Sequence, residues 1–198
     1  MRAAFIDKDG TLIDNVPYNT DPARVRLSSG AVAGLRLLRQ QGFRLFIVTN
    51  QPGVARGHFP ESALRPLFAH LQRVLACQDV APDGFYYCPH SPDGTVPRYA
   101  FDCDCRKPRA GMLLRAASEH GIDLPASWMI GDILNDVECG RRAGCRTVLI
   151  DNGNETEWQW SPLRRPHLVA PDLHAAAAMI CRCDTAQSPL TAHSDTAS

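Results

Sequence analysis

Long apolar runs are missing from this chain. No stretch approaches the ~18 consecutive apolar residues of a membrane-spanning helix, which excludes a helical membrane protein. No leader is expected either. In Met1-Arg2-Ala3-Ala4-Phe5-Ile6-Asp7 an acid arrives before an apolar region of about 7–15 residues can form, and a cytoplasmic location is expected. Net charge is the third absence, because 21 Lys and Arg balance 21 Asp and Glu. A general nucleic-acid binder would show a basic excess, so no nucleic-acid partner and no membrane partner are expected. Internal repeats are also lacking.

What is present is ordinary for a soluble globular chain: 44% apolar and 21% charged residues, which excludes global disorder and coiled coil. At 198 residues the chain is one domain and can bury a core without disulfides. Its eight cysteines (77, 88, 103, 105, 139, 145, 181 and 183) are therefore expected as reduced thiols.

Strands and helices alternate along the sequence. Ala3-Ala4-Phe5-Ile6 predicts a buried strand, followed by a turn at Asp7, Asp9 and Gly10. Apolar spacing predicts helices over 30–41, 61–76, 110–120, 136–143 and 172–181, several of them stopped by glycine. Further strands are predicted at 43–48, 84–87, 128–130 and 146–150, with a short one at 169–170. The segment 88–108 reads as irregular. This alternation implies a doubly wound α/β fold with a mostly parallel sheet over 1–183. Residues 184–198, poor in apolar side chains, read as a disordered tail.

Ligands of such sheets bind at the carboxyl ends of the strands. Three predicted strands end in polar clusters: Asp7-Lys8-Asp9-Gly10-Thr11, Thr49-Asn50-Gln51, and Gly131-Asp132 with Asp136 one turn on. Carboxylates gathered this closely repel unless a cation neutralises them, and an oxygen-only set suits Mg²⁺, which commonly accompanies phosphate. Helix caps and solvated turns are the plain alternative for any one cluster. Three on successive strand ends favour the ligand reading.

Asp7-Lys8-Asp9-Gly10-Thr11-Leu12 resembles the DxDGT(L) signature of the haloacid dehalogenase (HAD) superfamily of phosphatases. Thr49 after an apolar strand, Lys107 before a helix, and Gly131-Asp132 with Asp136 resemble its other three motifs, in the same order. The resemblance implies a Mg²⁺-dependent phosphomonoesterase. Asp7 would be the nucleophile and Asp9 the general acid and base. Mg²⁺ would be held by Asp7, the Asp9 carbonyl and Asp132, while Thr49 and Lys107 would hold the phosphoryl oxygens.

Cys88-Pro89-His90 followed by Cys103-Asp104-Cys105 offers three thiolates and one imidazole, a set suited to a closed structural Zn²⁺ site. The loop between them has no hydrophobic run of its own, so a metal staple would order it. This segment with Arg106-Lys107-Pro108, and Thr49-Asn50-Gln51-Pro52-Gly53-Val54-Ala55-Arg56-Gly57, resembles the zinc-loop branch of the superfamily. That branch holds D-glycero-D-manno-heptose 1,7-bisphosphate phosphatases and histidinol-phosphate phosphatases.

The likeness implies a small phosphorylated sugar as substrate, met by Thr49, Asn50, Gln51, Arg56, Arg106 and Lys107. The stretches between Leu12 and Thr49 and between Thr49 and Lys107 are too short for a separate cap domain, and the lack of an obvious exposed apolar stripe favours a monomer. Histidinol phosphate is the alternative substrate, and a catalytically silent zinc-loop binding module is the alternative of another class. The chain departs from the branch at Ile133, at Arg109-Ala110-Gly111 and over Asn15-Val16-Pro17-Tyr18-Asn19.

Trp158 and Trp160, with Arg164 and Arg165, are expected to pack a loop onto the sheet. Cys77, Cys139 and Cys145 are expected as small buried fillers.

Overall fold

In a computed structural model, which describes residues 1–187, six strands form one sheet. They are β1 (Ala3–Asp7), β2 (Arg44–Asn50), β3 (Gly84–Cys88), β4 (Trp128–Gly131), β5 (Arg146–Ile150) and β6 (Leu168–Ala170). Every pairing is parallel and the order is β3-β2-β1-β4-β5-β6.

Strand residues alternate between two cores. Ala4 and Ile6 of β1, Leu45 and Ile47 of β2, and Trp128 and Ile130 of β4 face one of them. Ala3, Phe5, Phe46, Val48 and Met129 face the other. A strand buried on both faces must be apolar throughout, which is why these segments read as continuous apolar runs.

Helices cover both faces. α1 (Ala31–Gln40), α3 (Leu64–Ala76) and α6 (Leu173–Gln187) bury Leu35, Leu38, Leu67, Leu71, Leu75 and Ile180 on the first. α4 (Gly111–His120) and α5 (Leu134–Ala143) bury Met112, Leu113, Ala116 and Cys139 on the second. The chain thus changes faces between β1 and β4, and a crevice opens there at the carboxyl ends.

Several expectations are corrected. A short helix, α2 (Pro52–Ala55), follows β2, with proline at its first turn, where a missing N–H costs nothing. α5 starts at Leu134, two residues before the expected 136. Asp136 sits in its first turn and accepts from Ile133 N at 3.3 Å, so this acid caps the helix from inside. α6 runs to Gln187, past the expected end at 181. Asp184, assigned to the tail, is helical and pairs with Arg2 (2.5 Å) and Arg146 (2.8 Å), which explains why the helix continues. The rest of the expected tail, 188–198, lies outside the described residues.

Cys77 is exposed while Cys139 and Cys145 are buried, because Cys77 falls just past the end of α3. Trp158 and Trp160 lie against each other, their rings tilted with centroids 5.4 Å apart, and stay about half exposed, at 45% and 55%. Their segment is tied down by Arg164 instead, which donates to Glu138 (2.7 Å) and Asn135 (3.0 Å) on α5. No helix among the described residues is long and apolar enough to cross a membrane.

Candidate active site

β1 and β4 are paired as Ala4↔Trp128, Phe5↔Met129 and Ile6↔Ile130, which carries Gly131 to the level of Asp7. Two acids therefore leave adjacent strands at one height: Asp7 at the end of β1 and Asp132 just past β4. Both are buried, and Asp136 on α5 is completely so. One carboxylate oxygen from each of the three lies within 4.8 Å of the others. Gly131 permits the approach, since a Cβ there would overlap the Asp136 carboxylate.

Lys107 enters this nest from the loop before α4. Its buried ammonium donates to Asp7 and pairs with Asp136 at 2.6 Å. Burial alone would pull this lysine down, but the Asp136 and Asp7 carboxylates outweigh it and hold it well above the ordinary range. Asp136 thus has one oxygen on Lys107 and its side chain on Ile133 N, and it serves to aim the lysine.

Asp9 follows Asp7 by two residues. It pairs with the buried Lys8 at 2.6 Å and accepts from Gln51 Nε2 (3.2 Å) and Thr49 Oγ1 (3.4 Å). Gln51 Nε2 also donates to Thr49 Oγ1 at 2.9 Å, so the end of β2 lines the site beside Asp9. A recess of about 180 Å³ opens beside Asp9, walled by Asn15, Pro17, Tyr18, Asn50 and Gln51.

Asn50, expected among the phosphate-binding residues, is committed elsewhere. Its Nδ2 donates to the Lys107 carbonyl and its Oδ1 accepts from Lys107 N, both at 3.0 Å. This two-point clamp fixes the backbone that carries the lysine. Asn50→Ala is expected to lower kcat by about 10–100-fold with the metal content unchanged, read by steady-state kinetics alongside elemental analysis. An unchanged kcat would mean that Lys107 holds its place without the clamp.

Arg56 sits on the rim. It donates to Tyr18 Oη (2.7 Å) and pairs with the exposed Asp93 (2.6 Å). Hydrogen bonds from Ser91 and Arg56 hold Asp93 down at about 2. Arg106 Nη1 donates to the His90 carbonyl at 3.3 Å, tying this cation to the loop before it.

The acids and lysines do not balance. Asp7, Asp9, Asp132 and Asp136 face Lys8 and Lys107, which leaves two negative charges over within this set. Burial, reinforced by Asp136, Asp132 and Asp9 and opposed by Lys107, pushes Asp7 well above the usual carboxylate range. Burial and the neighbouring Asp136 raise Asp132 to about 6. A divalent cation beside these oxygens would supply the missing charge and restore the ionised form, and an all-oxygen set suits magnesium.

The second cluster has different chemistry. The Cys88 and Cys103 sulfurs are 3.5 Å apart, Cys103 and Cys105 3.3 Å, His90 Nδ1 and Cys105 3.4 Å, and Cys88 and His90 Nδ1 3.7 Å. Zinc bonded at about 2.3 Å to sulfur and about 2.0–2.1 Å to nitrogen has tetrahedral edges of about 3.8 and about 3.5 Å. The four donors are therefore spaced to enclose such an ion. Hydrogen bonds, chiefly from Cys88 and then from Cys103 and His90, hold the Cys105 thiol below its ordinary range.

Similarity to known proteins agrees with this architecture. The HAD-hydrolase-like family model matches residues 104–176. D-glycero-beta-D-manno-heptose-1,7-bisphosphate 7-phosphatase of Escherichia coli (strain K12) is 41% identical over 152 residues, covering 76% of this chain and 80% of that protein. The chain belongs to the HAD-type heptose bisphosphate phosphatase family. The Haemophilus influenzae member is 42% identical over 153 residues, covering 77% of this chain and 83% of its own. Among solved structures, D,D-heptose 1,7-bisphosphate phosphatase from B. bronchiseptica, complexed with magnesium and phosphate, superposes with a TM-score of 0.74 at 26% identity. That match covers 92% of this chain and 99% of the other. Like its relatives in this family, the chain is a phosphatase.

Lys8 was not singled out by sequence reasoning, since a lysine between two acids reads as a solvated turn residue. Asn152, Asn154 and Glu155 were missed too. They lie in a loop with no motif spacing, and only the folded chain brings them to the turn after β1, to Asp132 and to the start of α5.

Proposed function

We propose that this phosphatase removes the 7-phosphate of D-glycero-D-manno-heptose 1,7-bisphosphate, as a monomer acting on a free sugar phosphate. The buried meeting of Asp7, Lys107 and Asp132 at the β1–β4 crevice carries the phosphoryl-transfer part of this reading. The choice of sugar is supported by the relatives' activity and by the balanced charge of the chain, which disfavours a nucleic-acid substrate.

An Asp7 carboxylate oxygen attacks phosphorus in line with the sugar oxygen. The P–O bond to the sugar breaks, leaving an aspartyl-phosphate on Asp7. Asp9 in its acid form delivers a proton to the departing oxygen. As carboxylate it then takes a proton from the water that attacks the phosphorus, which frees inorganic phosphate and restores Asp7. Gln51 orients Asp9 for both steps. Lys107 and Thr49 donate to the phosphoryl oxygens as charge spreads over them.

Asp7, the Asp9 carbonyl and Asp132 would hold magnesium, which supplies the positive charge that lets an anionic nucleophile meet an anionic phosphate. Cys88, His90, Cys103 and Cys105 would hold zinc. Arg106 is assigned to the distal phosphate, because it follows the last cysteine without slack. Arg56 joins it by exchanging the exposed Asp93 for substrate.

The test is kcat/KM across both anomers of the heptose 1,7-bisphosphate, histidinol phosphate and simple hexose phosphates, with Mg²⁺ and with EDTA. A preference of about 100-fold for one heptose bisphosphate is expected, equal to ~2.7 kcal/mol of differential transition-state binding. Flat selectivity, or a preference for histidinol phosphate, would displace the sugar assignment. No hydrolysis of any of them would favour a silent zinc-loop module.

A further inference from the structure

The loop after β5 grips the acid-bearing strand ends with three side chains, none of which belongs to the phosphoryl-binding set. Asn154 Nδ2 donates to Asp132 Oδ2 at 2.8 Å. Asn152 Nδ2 donates to the Gly10 carbonyl at 2.7 Å, and its Oδ1 accepts from Asn154 N at 3.2 Å. Glu155 Oε2 accepts from Leu134 N, at the start of α5, at 2.6 Å. The two asparagines therefore brace each other while one holds the β1 turn and the other the acid beyond β4.

Gly10 shows how closely this is built. It has φ +88, and a Cβ there would overlap both Asp132 Oδ2 and Asn154 Nδ2. The first turn thus leaves room for this one hydrogen bond. The other Asp132 oxygen, Oδ1, accepts from Thr11 Oγ1 at 3.2 Å. Each oxygen accepts from one side-chain donor. Two donors fix the plane of a carboxylate and leave each oxygen a lone pair for a cation.

We propose that Asn154 is a positioning residue that presets the Asp132 carboxylate for the divalent cation. The inference rests on the reading of Asp132 as a magnesium ligand. Magnesium demands near-ideal octahedral geometry, so a carboxylate free to rotate binds it less well. Partners that orient metal ligands typically change metal affinity or activity by about 10–100-fold when removed.

The experiment compares the parent chain with Asn154→Ala, Asn154→Ser, Glu155→Ala and Asp132→Asn. Binding of Mn²⁺ alone is followed by the electron paramagnetic resonance signal of the free ion, and Mg²⁺ binding by competition, without substrate. Asn154→Ala is expected to weaken both ions about 10-fold and to raise by the same factor the Mg²⁺ needed for half-maximal phosphatase activity. At saturating Mg²⁺ its kcat changes by less than about 3-fold. Asn154→Ser, which keeps a short donor, recovers part of the affinity. Glu155→Ala loosens the same loop but leaves metal affinity near the parent's.

Ion binding by Asn154→Ala within about 2-fold of the parent overturns the proposal. So does an equal loss in Glu155→Ala, which would trace the effect to loop order and not to the Asn154 bond. If Asp132→Asn binds the ions as well as the parent does, the reading of Asp132 as a ligand fails, and the inference falls with it.

Discussion

Asp7→Asn is expected to abolish turnover, lowering kcat by about 10⁴-fold or more, equivalent to about 5.5 kcal/mol of transition-state stabilisation. The amide has nearly the shape of the carboxylate, so Lys107 and the strand end stay in place. It has no anionic oxygen to attack phosphorus, and the only route left is direct attack by water. Kinetics with saturating Mg²⁺ and a melting curve on the same preparation separate lost chemistry from lost fold. Retention of more than about a tenth of the parent activity would remove Asp7 as nucleophile. Because Asp7 is buried among three other acids and beside one lysine, the substitution also removes repulsion. Its melting temperature is therefore expected to match the parent's or exceed it.

Loss of zinc is expected to have the next largest effect. Cys105→Ala leaves three donors and an incomplete tetrahedron, and elemental analysis should find about one zinc per parent chain and none in the variant. Structural zinc sites are worth about 10–16 kcal/mol in isolated peptides. Here most of the domain is held by its two cores, so only ordering of the 88–108 segment is lost. A loss of about 3 kcal/mol would lower the melting temperature of a chain this size by about 6–12 °C. Activity should fall by about 100-fold, because Arg106 and Lys107 directly follow the last cysteine and Arg106 is bonded to the His90 carbonyl. Full activity in a chain shown to lack zinc would separate the loop from catalysis.

The acids of the site were legible because strand ends announce themselves. An apolar run that stops at Asp7, Thr49 or Asp132 gives both the element and the side of the sheet on which its polar residue emerges. The Cys88, His90, Cys103 and Cys105 set was legible for another reason: paired donors at short spacing have few structural uses. The roles of Asn50 and Asp136 were not legible. An amide beside a phosphate site reads as a ligand until its partner is known, and the partner of Asn50 is the backbone of Lys107, 57 positions away. The grip of Asn152 on the first turn spans 142 positions, that of Asn154 on Asp132 spans 22, and neither leaves a periodic trace. The exposed tryptophans were misjudged because size and apolarity suggest packing, whereas Arg164 had already secured that segment on α5.

The pairing of β1 with β4 divides the molecule into a constant half and an editable half. The spacing between Asp7 and Asp132 follows from two hydrogen-bonded strands about 4.8 Å apart, and no exchange of surface side chains can alter it. Arg56, Arg106 and Tyr18 ride on connections outside the sheet, where insertions and replacements disturb no ladder. Descendants of this chain could therefore trade one sugar for another by rewriting those connections while inheriting the bond-breaking apparatus intact.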